Sequence, residues 1–207
     1  MKGLSRRTTL GLLAVAPVMG AAGSSPSPKG RQLAEAARRQ VGVTTRYDAS
    51  YRSLDYPNGD VLRTTGVCAD VLVRAARDAW KVDLQQRVHE DMERAFSAYP
   101  SRKVWGLKAP DANIDHRRVL NLETYMTRQG ALLSRAPAKA SGDSFDDLQP
   151  GDVLTWRVWG PGSPHMGVVC EGPNHPRVVH NIGWGAREEP LWMFKLHTPV
   201  AHYRWRA

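Results

Sequence analysis

Apolar positions in the first half of the chain recur at helical spacing. Leu33, Ala36, Ala37, Gln40 and Val41 share one face and Gly42 ends the run, which predicts a first helix. Residues 67–80 carry Val71, Leu72, Ala75, Ala76 and Ala79 on one side and Arg74, Arg77 and Asp78 on the other, the pattern of a half-buried helix. Val88, Met92, Ala95, Phe96 and Tyr99 predict a third helix stopped by Pro100. Val119, Leu122 and Met126 predict a fourth, stopped by Gly130. Residues 47–66, with a Pro-Asn-Gly-Asp turn and a Thr-Thr pair, are too polar for a regular element and read as a structured loop. Residues 131–147 read as a connecting segment.

After Pro150-Gly151-Asp152 the period shortens to two. Residues 153–156, 165–170, 177–181 and 200–205 are short β-rich runs separated by Gly, Pro and Asn clusters. Helices followed by hairpin-connected strands define the α+β class, with N-terminal helices packed on a C-terminal antiparallel sheet.

The N-terminus stands apart from this pattern. Lys2, Arg6 and Arg7 precede an apolar stretch at 10–18, and Gly20-Ala21-Ala22 follows, the three-part pattern of a cleaved export signal. Ser5-Arg6-Arg7-Thr8-Thr9-Leu10 resembles the twin-arginine form of that signal. The alternative, a buried first helix, is the weaker reading. The apolar run at 10–23 is 14 residues long with internal glycines, too short to cross roughly 30 Å of hydrocarbon. The expected organisation is therefore an export signal at 1–22, a flexible Ser/Pro leader at 23–29 and one domain at 30–207. The protein is expected to be exported, to the periplasm or to the extracellular side in association with the cell wall, with no stable membrane insertion once the signal is removed.

Charge narrows the partner. The full chain carries +9, and removal of Lys2, Arg6 and Arg7 leaves +6. No nucleic-acid module is present and the arginines are scattered, so anionic cell wall is the expected partner rather than nucleic acid. Nothing in the pattern demands a dimer, and a monomer is expected.

Two cysteines and seven histidines carry the chemistry. Cys68 falls in the first turn of the second predicted helix, where unpaired N–H groups and the helix dipole favour an anion. Its thiol pKa is expected to fall and the sulfur to serve as a nucleophile. His165 opens a strand, a rigid place for a general base, and His180 or Asn181 ends the next strand, where either can orient that base. The competing reading is a Cys68–Cys170 disulfide, the usual fate of two cysteines in an exported protein. Strand alternation puts His165, Gly167 and Val169 on one face and Met166, Val168 and Cys170 on the other. A catalytic Cys68 thus predicts that Cys170 is a small buried hydrophobe on the side away from it. Spacing alone does not decide between nucleophile and staple. A metal site is disfavoured, because His165, His175 and His180 lack His-x-His or His-x-x-x-His spacing; no metal or cofactor is expected.

Several segments carry a family resemblance. Gly66-Val67-Cys68-Ala69-Asp70, Leu148-Gln149-Pro150-Gly151-Asp152-Val153-Leu154, Pro164-His165-Met166-Gly167-Val168-Val169 and Val178-Val179-His180 occur in an order that resembles the NlpC-type bacterial cell-wall cysteine peptidases, which have a papain-like fold. More closely, Arg46-Tyr47-Asp48 with Tyr51, the 56–60 turn, residues 66–70, Asn113-Ile114-Asp115-His116-Arg117, His180-Asn181-Ile182-Gly183 and His202-Tyr203-Arg204 resemble the exported bacterial family called domain of unknown function 1287. The resemblance implies Cys68 as nucleophile, His165 as base and His180 as the orienting residue of an enzyme that cleaves an amide in peptidoglycan. It also implies Tyr47 and the Cys68 N–H as oxyanion donors, with Asp70 and Asn181 in support. The Asp-Cys-Ser-Gly run of the peptidases is Val-Cys-Ala-Asp here, so Asp70 has no counterpart there. Asp115, His116 and Arg117 are candidates for a substrate-binding cluster or a charged helix cap. Trp184, between Gly183 and Gly185, is a candidate cover for a glycan or stem peptide, or a core or lid tryptophan. The second functional class is a non-catalytic wall-binding domain of the same fold.

Overall fold

Ser27 starts the first helix: its hydroxyl accepts the Gly30 N–H at 3.0 Å, and Pro28 takes the first helical position, where its missing N–H has no partner to lose. The computed structural model describes residues 26–136, 139–159 and 162–206; the export signal expected at 1–22 lies outside them. Helix α1 is Pro28–Arg38, so the last two residues of the expected leader, Pro28 and Lys29, are already helical, because Ser27 and Pro28 act as cap and first helical residue.

A two-stranded parallel pair, β1 (Arg46–Tyr47) and β2 (Thr65–Gly66), brackets the expected loop. Helix α2 follows at Cys68–Trp80 and ends on Lys81 in the left-handed conformation. Helix α3 is Leu84–Ala95, the short α4 is Ser101–Trp105, and α5 is Val119–Arg128. The strands are β3 (Leu132–Arg135), β4 (Val153–Val158), β5 (Ser163–Cys170), β6 (Arg177–Asn181), β7 (Ala186–Pro190) and β8 (Thr198–Tyr203). They form one sheet in the order β3-β8-β4-β5-β6-β7 with every neighbouring pair antiparallel.

Cross-strand register sorts side chains between two faces. Val153 pairs with Val168 and Thr155 with Met166, and this face packs on α1 and α2 with Leu33, Val71 and Leu72. Leu154 pairs with Gly167 and Trp156 with His165, and these turn away from the helices. The second face is covered by the turn at Leu191–Phe194 and by Phe145 and Leu148. Trp156 anchors it, stacked on Phe194 at 4.4 Å and donating its indole N–H to the Gly142 carbonyl at 2.7 Å. Fully burying such a ring contributes about 3 kcal/mol, and the hydrogen bond removes the cost of burying its polar atom.

The Pro-Gly-Asp run joins the layers. Gly151 has φ +89, and a Cβ there would meet the Gly30 carbonyl oxygen at 2.3 Å, so only glycine lets α1 close onto the sheet. Asp152, buried, accepts from His202 at 2.7 Å, from Arg204 at 2.8 Å and from the Gln149 N–H at 2.8 Å. The carboxylate thereby fixes the start of β4 to the end of β8.

Cys170 is buried and reduced on the helix-facing side of β5 with Met166 and Val168, opposite His165 as the alternation requires, its thiol 3.5 Å from the Ala34 carbonyl of α1. Cys68 is also reduced, so the two sulfurs form no disulfide.

Candidate active site

The start of α2 is built by its own third residue. Val67 is extended, and Asp70 Oδ2 accepts the Val67 N–H at 2.7 Å, which holds the chain at the angle needed to begin the helix. Across from it, Arg117 Nε and Nη2 each donate to Asp70 at 3.0 Å, and Arg117 also reaches the Asp48 carbonyl at 3.0 Å. Asp70 thus organises the helix start and the loop beside it.

Cys68 opens this helix with only 4% of its surface exposed. Burial is the largest influence on the thiol and pushes it up to about 12. The Met166 N–H opposes burial, the Asp70 carboxylate reinforces it, and the N–H groups of Ala69 and Cys68 itself oppose it. The helix terminus acts in the expected direction, but desolvation wins, so the resting group is a neutral thiol.

The sulfur sits where two strands part. The β5–β6 ladder runs from Cys170–Arg177 to Val168–Val179 and stops there. Beyond it, the Met166 N–H of β5 reaches the Cys68 thiol, and the Asn181 amide of β6 donates to the Gly66 carbonyl at 2.9 Å. The start of α2 is therefore tied to both strands just past the end of their pairing. Asn181 secures that junction rather than an imidazole.

The histidines face the other layer. His165 Nε2 lies 3.1 Å from His180 Nδ1 with the rings perpendicular, and His180 Nε2 lies 3.2 Å from Glu189 Oε2 on β7. Phe194 flanks both rings. Burial, then the neighbouring His180 and His197, hold the His165 imidazole well below its ordinary pKa, so it is neutral at pH 7. Of the two candidates for orienting His165, His180 makes the contact. Among the described residues no hydrogen bond joins the thiol to an imidazole; sulfur and His165 meet through the backbone amide of the next residue, Met166.

A cleft of about 470 Å³ opens over Cys68, lined by Tyr47, Tyr51, Trp105, Arg117 and Pro164 among others. Tyr47 stands opposite Gly66 in the β1–β2 pair. Its phenol is pushed up to about 12, first by burial and then by Cys68 and Asp70, with Arg117 opposing, so it remains a hydrogen-bond donor. The 115–117 segment is buried between α2, α3 and α5. Asp115 accepts from the Asp111 N–H at 2.6 Å and from Arg118 at 3.0 Å. His116 is enclosed with Nδ1 unpartnered, and only Arg117 reaches the cleft. Trp184 is 73% exposed on its loop and is not among the cleft-lining residues. Tyr51 belongs to the segments that carry the family resemblance; Glu189 and Trp105 were not singled out from the sequence, since Glu189 lies on a polar edge strand and Trp105 ends the five-residue α4. Among the described residues no cluster of three or more His, Cys, Asp or Glu side chains is arranged to hold a metal, and no helix is long and apolar enough to cross a membrane.

This arrangement of N-terminal helices on a six-stranded antiparallel sheet, with a cysteine opening one helix and a histidine on a central strand, is an α+β fold. Residues 34–205 match the family described as Domain of unknown function (DUF1287), and the chain belongs to it. It is 46% identical over 176 residues to "Uncharacterized protein YijF" of Escherichia coli (strain K12), covering 84% of this chain and 80% of that one. Its fold is similar to crystal structures of a N-acetylmuramoyl-L-alanine amidase from Bacteroides uniformis. One has a TM-score of 0.55 at 13% identity, covering 86% of this chain and all of that one; another has a TM-score of 0.53 at 15% identity, covering 87% and all respectively.

Proposed function

We propose that this protein is an exported cysteine hydrolase that cleaves an amide bond of the peptidoglycan stem peptide, as an amidase or an endopeptidase. The observation that carries the reading is the Cys68 thiol on the floor of a cleft, held by the amide of the residue next to His165, whose imidazole is backed by His180. The amidase-like fold and the basic charge of the chain support peptidoglycan as the substrate, and the N-terminal signal pattern supports export.

In this reading the neutral His165 takes the thiol proton as sulfur attacks the amide carbonyl, so neither charge has to exist in the buried resting site. The developing oxyanion is met by the Cys68 N–H and the Tyr47 phenol. The imidazolium returns its proton to the leaving amine, and water resolves the thioester. Arg117 and the aromatic residues Tyr51 and Trp105 line the space where the substrate chain lies.

Incubating the protein with purified peptidoglycan and identifying the released muropeptides by mass spectrometry tests the reading and names the bond cut. Absence of any new fragment contradicts it. One observation favours the second reading, a non-catalytic wall-binding domain: the thiol is buried, protonated and not hydrogen-bonded to an imidazole. That reading predicts peptidoglycan binding without turnover.

A further inference from the structure

A carboxylate at the far end of the histidine pair decides which nitrogen of His165 is basic. Glu189 is ionised, its carboxyl held below the ordinary range chiefly by the hydrogen bond from His180, and a carboxylate only accepts. His180 Nε2, 3.2 Å from Glu189 Oε2, therefore carries a proton. With that proton as the only one on the ring, Nδ1 of His180 is bare and accepts, so the proton between the rings sits on His165 Nε2, 3.1 Å away. That leaves the Nδ1 of His165 bare.

We propose that Glu189 is a positioning residue that, acting through His180, fixes His165 in the tautomer whose bare Nδ1 receives the Cys68 proton. The role in catalysis rests on the reading of Cys68 and His165 given above; the tautomer does not. In the step, the S–H bond breaks and its proton goes to Nδ1. The sulfur electron pair forms the bond to the carbonyl carbon, and the new imidazolium keeps its Nε2 proton directed at His180. The opposite tautomer would present an N–H to the thiol and could not take its proton.

The surroundings set this carboxylate apart from its neighbour. Glu188, one residue earlier on β7, pairs with Arg38 at 2.8 Å and with Arg177 at 3.2 Å, clamping α1 to the sheet. Glu189 faces His180, with Arg177 and Arg187 contributing at longer range. His180, His197, Trp156 and Phe194 lie around the His165 ring.

Long-range 1H–15N correlation spectra of the full protein, labelled in its histidine rings and recorded at pH 7, read the tautomer directly. In the unsubstituted protein, His165 and His180 should both carry their proton on Nε2. Glu189→Gln offers a donor as well as an acceptor, and Glu189→Ala offers neither, so in both a Nδ1–H form of His165 should appear. Glu189→Asp, which remains acceptor-only, should restore the original tautomer, and Glu188→Gln should leave it unchanged. With peptidoglycan as substrate, Glu189→Gln should lower kcat roughly tenfold or more with KM nearly unchanged. A His165 that keeps its Nε2 proton in both Glu189→Gln and Glu189→Ala overturns the proposal. Failure of the unsubstituted protein to turn over peptidoglycan overturns the catalytic role of Glu189 together with the hydrolase reading, while the spectra still decide whether Glu189 sets the tautomer.

Discussion

Arg117 grips the Asp70 carboxylate through two hydrogen bonds of 3.0 Å, with both side chains almost fully buried. The pair ties the helix that carries Cys68 to the turn behind the cleft, and the same carboxylate caps that helix. Removing one partner leaves the other buried and uncompensated. Asp70→Asn and Arg117→Met should each lose about 3–5 kcal/mol of unfolding free energy, read from urea denaturation. A loss below about 1 kcal/mol would mean the pair is not the clamp described here.

Thiol reactivity should follow the raised Cys68 pKa. At pH 7 iodoacetamide should label Cys68 slowly, and below about pH 12 the rate should rise close to tenfold per pH unit as thiolate forms. Hydrolysis should behave differently, because His165 takes the proton during attack and stays neutral until well below pH 6.5. Its acid limb should therefore lie below that pH. Fast, pH-independent labelling near neutrality would reveal a thiolate–imidazolium pair instead.

His116 predicts acid sensitivity of the fold. Burial lowers its pKa to about 4, with Asp70 opposing and Arg117 reinforcing the shift. Above pH 6.5 neither the folded nor the unfolded state binds its proton, and stability does not change. Between 6.5 and about 4 only the unfolded state does, so stability falls with pH by up to about 3 kcal/mol. His165 acts in the same direction. Urea midpoints measured between pH 7 and 4.5 should show this slope, and His116→Gln should flatten it. A flat profile in the unsubstituted protein contradicts the account.

Tyr47 is 43% exposed and carries little of the core, so Tyr47→Phe should fold normally. As the loss of one oxyanion donor, it should lower kcat on peptidoglycan by about 100-fold or more. Thermal melting together with turnover separates the two effects, and unchanged kcat would remove Tyr47 from the chemistry.

The interior elements were legible because burial imposes a period. The α2 face and the β4, β5 and β6 runs are apolar where the core requires it. In the six-stranded sheet the two strands that escaped notice, β3 and β7, are the edges. Edge strands are half solvated, so Ala-Arg-Glu-Glu-Pro shows no alternation, and Glu189 was hidden with it. Gly151, Asp152, His165 and His180 stood out because turns and polar residues inside apolar runs need a reason. Asp70 was legible as unusual, but its work as a cap and ion-pair partner depends on Arg117, 47 residues away. The pKa of Cys68 was misjudged for a related cause: helix position is local and visible in sequence, whereas the packing that buries the sulfur is not.

The central claim is that the sulfur of Cys68 performs the bond cleavage. Purified peptidoglycan should be incubated with the unsubstituted protein and with Cys68→Ala, the fold of each checked by circular dichroism and the products resolved by mass spectrometry. The account predicts new peptide-containing fragments with the unsubstituted protein and none with a folded Cys68→Ala. Equal fragment yields from both would contradict it.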